Sequence, residues 1–344
     1  MLVPSEIVYC VVYLGYQSID GTYHFAGTAF VMSRQVEGYA LGFLYLVTSK
    51  HLLDKIRERT SLNEVQIRFN LRRHLVDKDS RWVSSDMADW ITHPTDDTVD
   101  VAVLPLNSDD LKGIEQWFWA IECMPIPTSM CKSLEDLTQK GIGVGNEISI
   151  TGIFSRHKGD NRNIPIVRVG NIAAMPEDRI NTEFTEKGIE GYLIEAKSTG
   201  GISGSPVFAD MGLPALYPPV AGGVRGPTYF LIGLVHGHFR AKYPRAEVDA
   251  DDILFQEELN FGIAIVVPAS KILEVLNQPM IVDQEKDQEQ KLRKEDAATL
   301  DDALDDIDEE LSEKPYTEED FEKALRKASR VKKKPDQESS KTSE

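Results

Sequence analysis

Three residues far apart in the chain, His51, Asp100 and Ser203, are of the types that acyl transfer requires. Ser203 lies within residues 199–208, Thr-Gly-Gly-Ile-Ser-Gly-Ser-Pro-Val-Phe, a glycine-dense turn that feeds a short strand. A serine hydroxyl attacks a carbonyl only where its backbone turns sharply enough to present the oxygen. Gly201 and Gly204 allow backbone angles that a Cβ would forbid and let a substrate come close. In such a turn the amides of Gly201 and Ser203 can converge on one small volume, an oxyanion hole for a tetrahedral intermediate. Pro206 then fixes the exit into Val207-Phe208.

The other two residues stand out by position. Residues 42–49, Gly-Phe-Leu-Tyr-Leu-Val-Thr-Ser, read as a strand, and the 3,4 spacing of Lys50-His51-Leu52-Leu53-Asp54-Lys55-Ile56 predicts a short helix. His51 therefore falls where a strand ends and a helical turn begins, a junction that holds a side chain at the mouth of a barrel. Asp100 opens the apolar run Val101-Ala102-Val103-Leu104. A buried carboxylate costs several kcal/mol unless a charge-assisted donor offsets it, so Asp100 requires a specific partner or serves as a cap.

The elements that must position these residues read as β. Residues 6–16 and 23–33 are rich in Val, Ile, Tyr and Phe around an Asp20-Gly21 turn, which predicts a hairpin. Val65–Phe69 alternates as a half-exposed strand. Residues 72–98 are polar and read as a long surface excursion. Further strands are expected at 145–153, 164–172, 191–196, 205–208 and 229–235. Short strands with Gly-rich corners favour barrels over a parallel α/β sheet.

Composition narrows the classes. With 344 residues and 41% hydrophobic content the chain can bury a large core. A net charge of −18, about −10 before residue 280 and about −8 after it, argues against nucleic acid as a partner. Cys10, Cys123 and Cys131 fit neither a disulfide framework nor a zinc site. The opening lacks a basic n-region, and no apolar run is long enough to span a membrane, so a cytoplasmic, soluble protein is the expectation. His236-x-His238 has metal-ligand spacing but lacks a third ligand nearby. Trp117-Phe118-Trp119 reads as a packing cluster.

Taken together, Leu46-Val47-Thr48-Ser49-Lys50-His51, Asp100-Val101-Ala102-Val103-Leu104 and Gly201-Ile202-Ser203-Gly204-Ser205-Pro206 resemble the three motifs of the trypsin-like serine peptidases, in that family's order. The similarity runs from about residue 8 to residue 277. The serine motif looks closest to the glutamyl endopeptidase branch, and Phe261–Pro268 with the helix after it is similar to the closing elements of the HtrA/Deg peptidases. The resemblance implies an all-β fold of two packed six-stranded antiparallel barrels, with the site in the cleft between them. It implies that His51 takes the proton from Ser203 and that Asp100 fixes the imidazole tautomer. It calls for no metal and no organic cofactor, and the partner is a protein or peptide substrate.

The resemblance also places Lys197 at the base of a substrate pocket, with His236 and His238 on its wall, which favours an acidic substrate side chain. The glutamyl branch's own histidine aligns one residue earlier, at Val235. Ile202 stands where the digestive enzymes carry the aspartate of their zymogen switch, so no activating cleavage is expected, and a resting, inactive oxyanion loop is an alternative. A catalytically silent scaffold on the same fold is therefore the competing reading; an esterase lacks the Gly-x-Ser-x-Gly elbow.

Residues 1–279 are thus read as the peptidase domain and 280–344 as an acidic tail. Leu300, Leu304, Ile307 and Leu311 mark one helical stripe in that tail. Thr317–Asp320 resembles a capping box for a second helix, and the last ten residues read as disordered. The tail is either solvated or a docking arm for a protein partner.

Overall fold

The computed structural model describes residues 3–39, 42–106, 120–154, 157, 159–182, 185–196, 202–211, 229–240 and 260–312. Lys197, Gly201, Trp117–Trp119 and the second helix expected in the tail lie outside the described residues. The chain divides into two compact units, Met1–Val282 and Asp283–Glu344.

The first unit is built of β-strands. Those of its N-terminal half are β1 (Val11–Gln17), β2 (Tyr23–Arg34), β3 (Phe43–Thr48), β4 (Glu64–Asn70), β5 (Ser80–Asp86), β6 (Ile91–Thr92), β7 (Ala102–Pro105) and β8 (Ile126–Pro127). They form one curled sheet in the order β5-β4-β1-β2-β3-β7-β6, with β8 added to β2. The second half contributes β9 (Glu147–Gly152), β10 (Ile166–Ala174), β11 (Ile180–Thr182), β12 (Thr185–Ile189), β13 (Tyr192–Glu195), β14 (Pro206–Asp210), β15 (Tyr229–Arg240) and β16 (Asn260–Pro268). Six of these close into a barrel, β10-β13-β16-β15-β14-β9, and β11 and β12 pair as a separate hairpin. The all-β architecture of two curled sheets read from the sequence thus stands, with differences in the first half. Among the described residues, the first sheet has eight strands rather than six, takes β8 in parallel to β2, and is open between β5 and β6.

Alternation along the strands sorts side chains into separate cores. In β2, Ala29 and Val31 face the core inside the first sheet, while Phe30 and Met32 face a core shared by both halves. In β14, Val207 and Ala209 fill the barrel and Phe208 enters the shared core. Ala264 and Val266 of β16 do the same against Ile265 and Val267. Successive side chains point to opposite faces, so a strand buried on both sides reads as one unbroken apolar run. The shared core is what clamps the two halves together.

Several segments depart from the reading above. Residues 5–8 form a helical turn, α1 (Ser5–Val8), because Pro4 precedes it in extended geometry and its carbonyl accepts the Ile7 N–H at 3.1 Å. Residues 72–98 are only in part a surface excursion: most of 72–78 is exposed, but β5 pairs with β4 along its whole length, and Trp90 is buried with its indole N–H on Ser85 Oγ at 3.0 Å. Val65–Phe69 is buried on both faces, including Gln66 and Arg68. Arg68 and Asn70 are covered by the 159–163 loop between β9 and β10. Arg68 donates to the carbonyls of Gly159 (3.0 Å) and Asp160 (2.7 Å), and Asn163 donates its N–H to Asn70 Oδ1 (2.7 Å) and its side-chain amide to the Arg68 carbonyl (2.7 Å).

Among the described residues there are four further α-helices: α2 (Lys50–Arg57), α3 (Leu134–Gln139), α4 (Ala269–Leu276) and α5 (Pro279–Ser312). Helix α4 buries Ile272, Val275 and Leu276 in the shared core. Among the described residues no helix is long and apolar enough to cross a membrane.

Candidate active site

Helix α2 presents His51. Leu52, Leu53 and Ile56 bury its inner face in the first sheet's core, which fixes the helix where β3 ends. Ser49 is extended at the N-cap but its hydroxyl makes no capping bond. The cap comes from elsewhere: Asp100 Oδ1 accepts the His51 backbone N–H at 2.8 Å. This satisfies one of the free amides of the first helical turn with a negative charge, where helix geometry favours one. The same carboxylate then orients the ring, since His51 Nδ1 lies 2.7 Å from Asp100 Oδ2.

Asp100 itself is not in a strand. The regular strand begins at Ala102, and Val99 to Val101 form the lead-in. That departure from the sequence reading has a local cause, because the carboxylate is engaged by donors from outside the sheet rather than by ladder geometry. Burial opposes its ionisation, but facing His51 and the N–H bonds from His236 and His51 outweigh the burial. The carboxyl is held well below the usual carboxylate range.

The third group on Asp100 is His236. Its Nδ1 also bonds Asp100 Oδ2, its side chain is 2% exposed, and its ring meets that of His51 edge-on with centroids 5.0 Å apart. The sequence reading set His236 on a pocket wall, and the structure corrects this. In the β15–β16 register, Val235 pairs with Val266 and Gly237 with Ile265, so His236 is the extra residue of a β-bulge. A bulge re-aims its side chain. His238, two residues on, is half-buried.

Ser203 occupies a turn tied to both halves. The Ser205 N–H donates to the Ile202 carbonyl at 3.0 Å, and the Gly204 N–H donates to Val235 at 2.8 Å. From the first sheet, the Thr28 N–H donates to the Ser203 carbonyl at 3.1 Å, and Thr28 Oγ1 accepts the Ile153 N–H at 2.9 Å. Gly204 has φ +80, and a Cβ there would lie 2.2 Å from the Thr28 carbonyl and 2.3 Å from Thr48 Oγ1. Only glycine fits. Thr48 ends the strand that leads into His51, so the serine turn is packed against the start of the histidine helix. The Ser203 hydroxyl donates to the His236 carbonyl at 3.4 Å.

The structure therefore brings His51 and Asp100 into direct contact and seats the Ser203 turn beside them. One contributor was not foreseen, and one expected residue stands elsewhere. Thr28, in the middle of β2, joins the two halves under the serine; His236, expected on a pocket wall, touches Asp100 through its ring and Ser203 through its carbonyl. The three cysteines are unbridged; burial pushes the Cys123 and Cys131 thiols up to about 12, which keeps them protonated and poor nucleophiles.

The donor atoms of His51, Asp100 and His236 lie within 4.8 Å of one another. Their spacing suits protons better than an ion. Ligands around a tetrahedral zinc at 2.0–2.1 Å sit about 3.3 Å apart, whereas His51 Nδ1 is 2.7 Å from Asp100 Oδ2.

No family model matches the chain, and no curated protein matches it. Among solved structures, the chain is similar to the Rv3671c protease in its inactive form, at 16% identity and TM-score 0.37, over 78% of this chain and 88% of that one. A serine-to-alanine variant of Rv3671c from M. tuberculosis H37Rv matches at 15% identity and TM-score 0.37, over 78% and 85%. Likeness of this degree carries no chemical inference, and the case for a reaction lies in the side chains themselves.

Proposed function

We propose that the chain is a serine endopeptidase. Ser203 attacks the peptide carbonyl, His51 Nε2 accepts its proton and returns it to the leaving amine, and water then hydrolyses the acyl-enzyme. Asp100 holds the His51 ring with Nδ1 protonated, leaving Nε2 as the base. The backbone amides of Gly201 and Ser203 hold the oxyanion. The observation that carries this reading is the double hold of Asp100 on His51, through ring and backbone, beside a turn at which only glycine can follow the serine.

For specificity, we read Lys197 and His238 as favouring an acidic substrate side chain. His236 is not part of that pocket, since its ring is committed to Asp100.

A catalytically silent scaffold is the second reading. It is favoured by the hydrogen bond of the Ser203 hydroxyl to the His236 carbonyl, a geometry from which the hydroxyl must turn before it can reach the base. Incubation with a diverse peptide library, followed by mass spectrometry, separates the two. The peptidase reading expects cleavage, concentrated after Glu or Asp and lost in Ser203→Ala. No cleavage supports the scaffold, and cleavage after Lys or Arg overturns the acidic pocket.

A further inference from the structure

The outer face of the first sheet carries a run of aromatic rings that the proposed reaction does not use. The strand registers set Thr28 of β2 opposite Tyr13 of β1, Tyr13 opposite Arg68 of β4, and Arg68 opposite Trp82 of β5. Side chains directly opposite one another share a face, so this row crosses four strands on one side of the sheet. Phe25 joins the same side, because its ring meets Tyr13 edge-on at 5.7 Å and the Arg68 guanidinium lies over it at 5.5 Å. Trp82 then packs on Phe25 at 5.1 Å and stacks on Tyr23 at 4.8 Å, with 10° between the ring planes.

The two ends of this face differ. At the inner end Thr28, Tyr13 and Arg68 are buried, and the Thr28 N–H donates to the Ser203 carbonyl at 3.1 Å. At the outer end Tyr23 is 40% exposed, and Phe25 and Trp82 are half-buried. A rigid stacked pair open to solvent offers wide apolar contact while losing little conformational freedom on binding. At about 3.3 Å per residue, Tyr23 stands about 15 Å along β2 from Thr28. An extended polypeptide held at Ser203 spans that distance in four or five of its own residues.

We propose that Tyr23, Phe25 and Trp82 form a docking strip for an aromatic or large aliphatic side chain of a polypeptide, four or five residues from the peptide bond held at Ser203. The continuity of one sheet face from the Ser203 turn to the stacked pair argues for this occupant, since a chain already held at the serine reaches the strip without a second interface. Arg68 stays buried beneath the strip, where it holds the Phe25 ring. Recognition then has two separated parts, a side chain at the cut and an apolar one further along.

The position of the docked residue relative to a cut rests on the peptidase reading; the docking itself does not. The test uses the full chain carrying Ser203→Ala and two capped peptides. One is acetyl-Phe-Phe-Ala-Ala-Glu-Ala-Ala-Ala-Phe-Phe-amide, which offers aromatic residues on both sides, and the other has alanine in place of every phenylalanine. Calorimetry reads affinity, and the Trp82 indole N–H resonance, assigned with Trp82→Phe, reads contact. The expected result is that the aromatic peptide binds at least about tenfold tighter and shifts the Trp82 resonance. That advantage should vanish in Tyr23→Ala and persist in Tyr23→Phe. Equal affinities, no binding of either peptide, or an advantage that survives Tyr23→Ala in a folded chain overturns the proposal. Should Tyr23→Ala fail to fold, the Trp82 resonance of the parent decides alone. Serine-reactive labelling of the unmodified chain tests the peptidase reading separately. A chain that labels but binds both peptides equally loses only the strip, and one that binds the aromatic peptide without labelling loses only the reaction.

Discussion

Asp100 grips His51 at two points, accepting the ring Nδ1–H at 2.7 Å and the backbone N–H at 2.8 Å. One carboxylate thus holds both the start of the helix that carries His51 and the orientation of its ring. A substitution that keeps the shape but not the charge separates these effects.

In Asp100→Asn the amide can still accept the backbone N–H, but it no longer enforces Nδ1 protonation or balances an imidazolium. The expected outcome is a loss of serine reactivity of about 10⁴-fold in a chain that still folds. The check is the rate of fluorophosphonate labelling alongside circular dichroism. Labelling within tenfold of the parent contradicts the role assigned to Asp100.

The same carboxyl makes stability pH-dependent. Its proton affinity is lowered in the folded state, so its contribution is whole above about pH 5. It fades as pH falls below the unfolded carboxylate value of about 3.9 toward the lower folded one. Urea midpoints between pH 6 and pH 3 should therefore fall more steeply for the parent than for Asp100→Asn.

Gly204 offers a contrast with Gly141. Both have positive φ, +80 and +75, but an added Cβ at Gly204 strikes the Thr28 carbonyl, whereas at Gly141 nothing lies within 4 Å. Gly141→Ala should cost only the backbone strain, about 1–3 kcal/mol, and leave serine reactivity intact. Gly204→Ala should cost more than that and abolish reactivity, because the turn must move. Paired denaturation and labelling of the two variants measure the difference.

The local geometry around the three residues was legible where local rules apply. A glycine turn around Ser203, a strand-to-helix junction at His51 and an acid opening an apolar run at Asp100 are all features of adjacent residues. The two-faced burial of β2, β14 and β16 was legible as apolar runs, although not which core each side chain enters. The resemblance set His236 on a pocket wall, and neither it nor the residues around 236 register the bulge that turns this ring toward Asp100. Arg68 and Gln66 look like the exposed face of β4, and the cover over Arg68 comes from a loop far along the chain. Four residues of α1 are too few to show a helical period.

That loop makes its own prediction. Asn70 exchanges hydrogen bonds with the Asn163 backbone, accepting its N–H at 2.7 Å and donating to its carbonyl at 3.1 Å. Asn70→Ala leaves both buried groups unsatisfied and should destabilise the first unit by about 1–3 kcal/mol per group. Chemical denaturation reads the loss directly, and a change within experimental error would show that the loop is not a clamp.

The most direct measurement of the central claim is covalent: the full chain is treated with a fluorophosphonate and the adduct located by peptide mass spectrometry. A nucleophilic Ser203 activated by His51 predicts a single adduct on Ser203, absent from Ser203→Ala and slowed at least about 10³-fold in His51→Ala. A folded chain that takes up no label, or one labelled equally fast without His51, contradicts it.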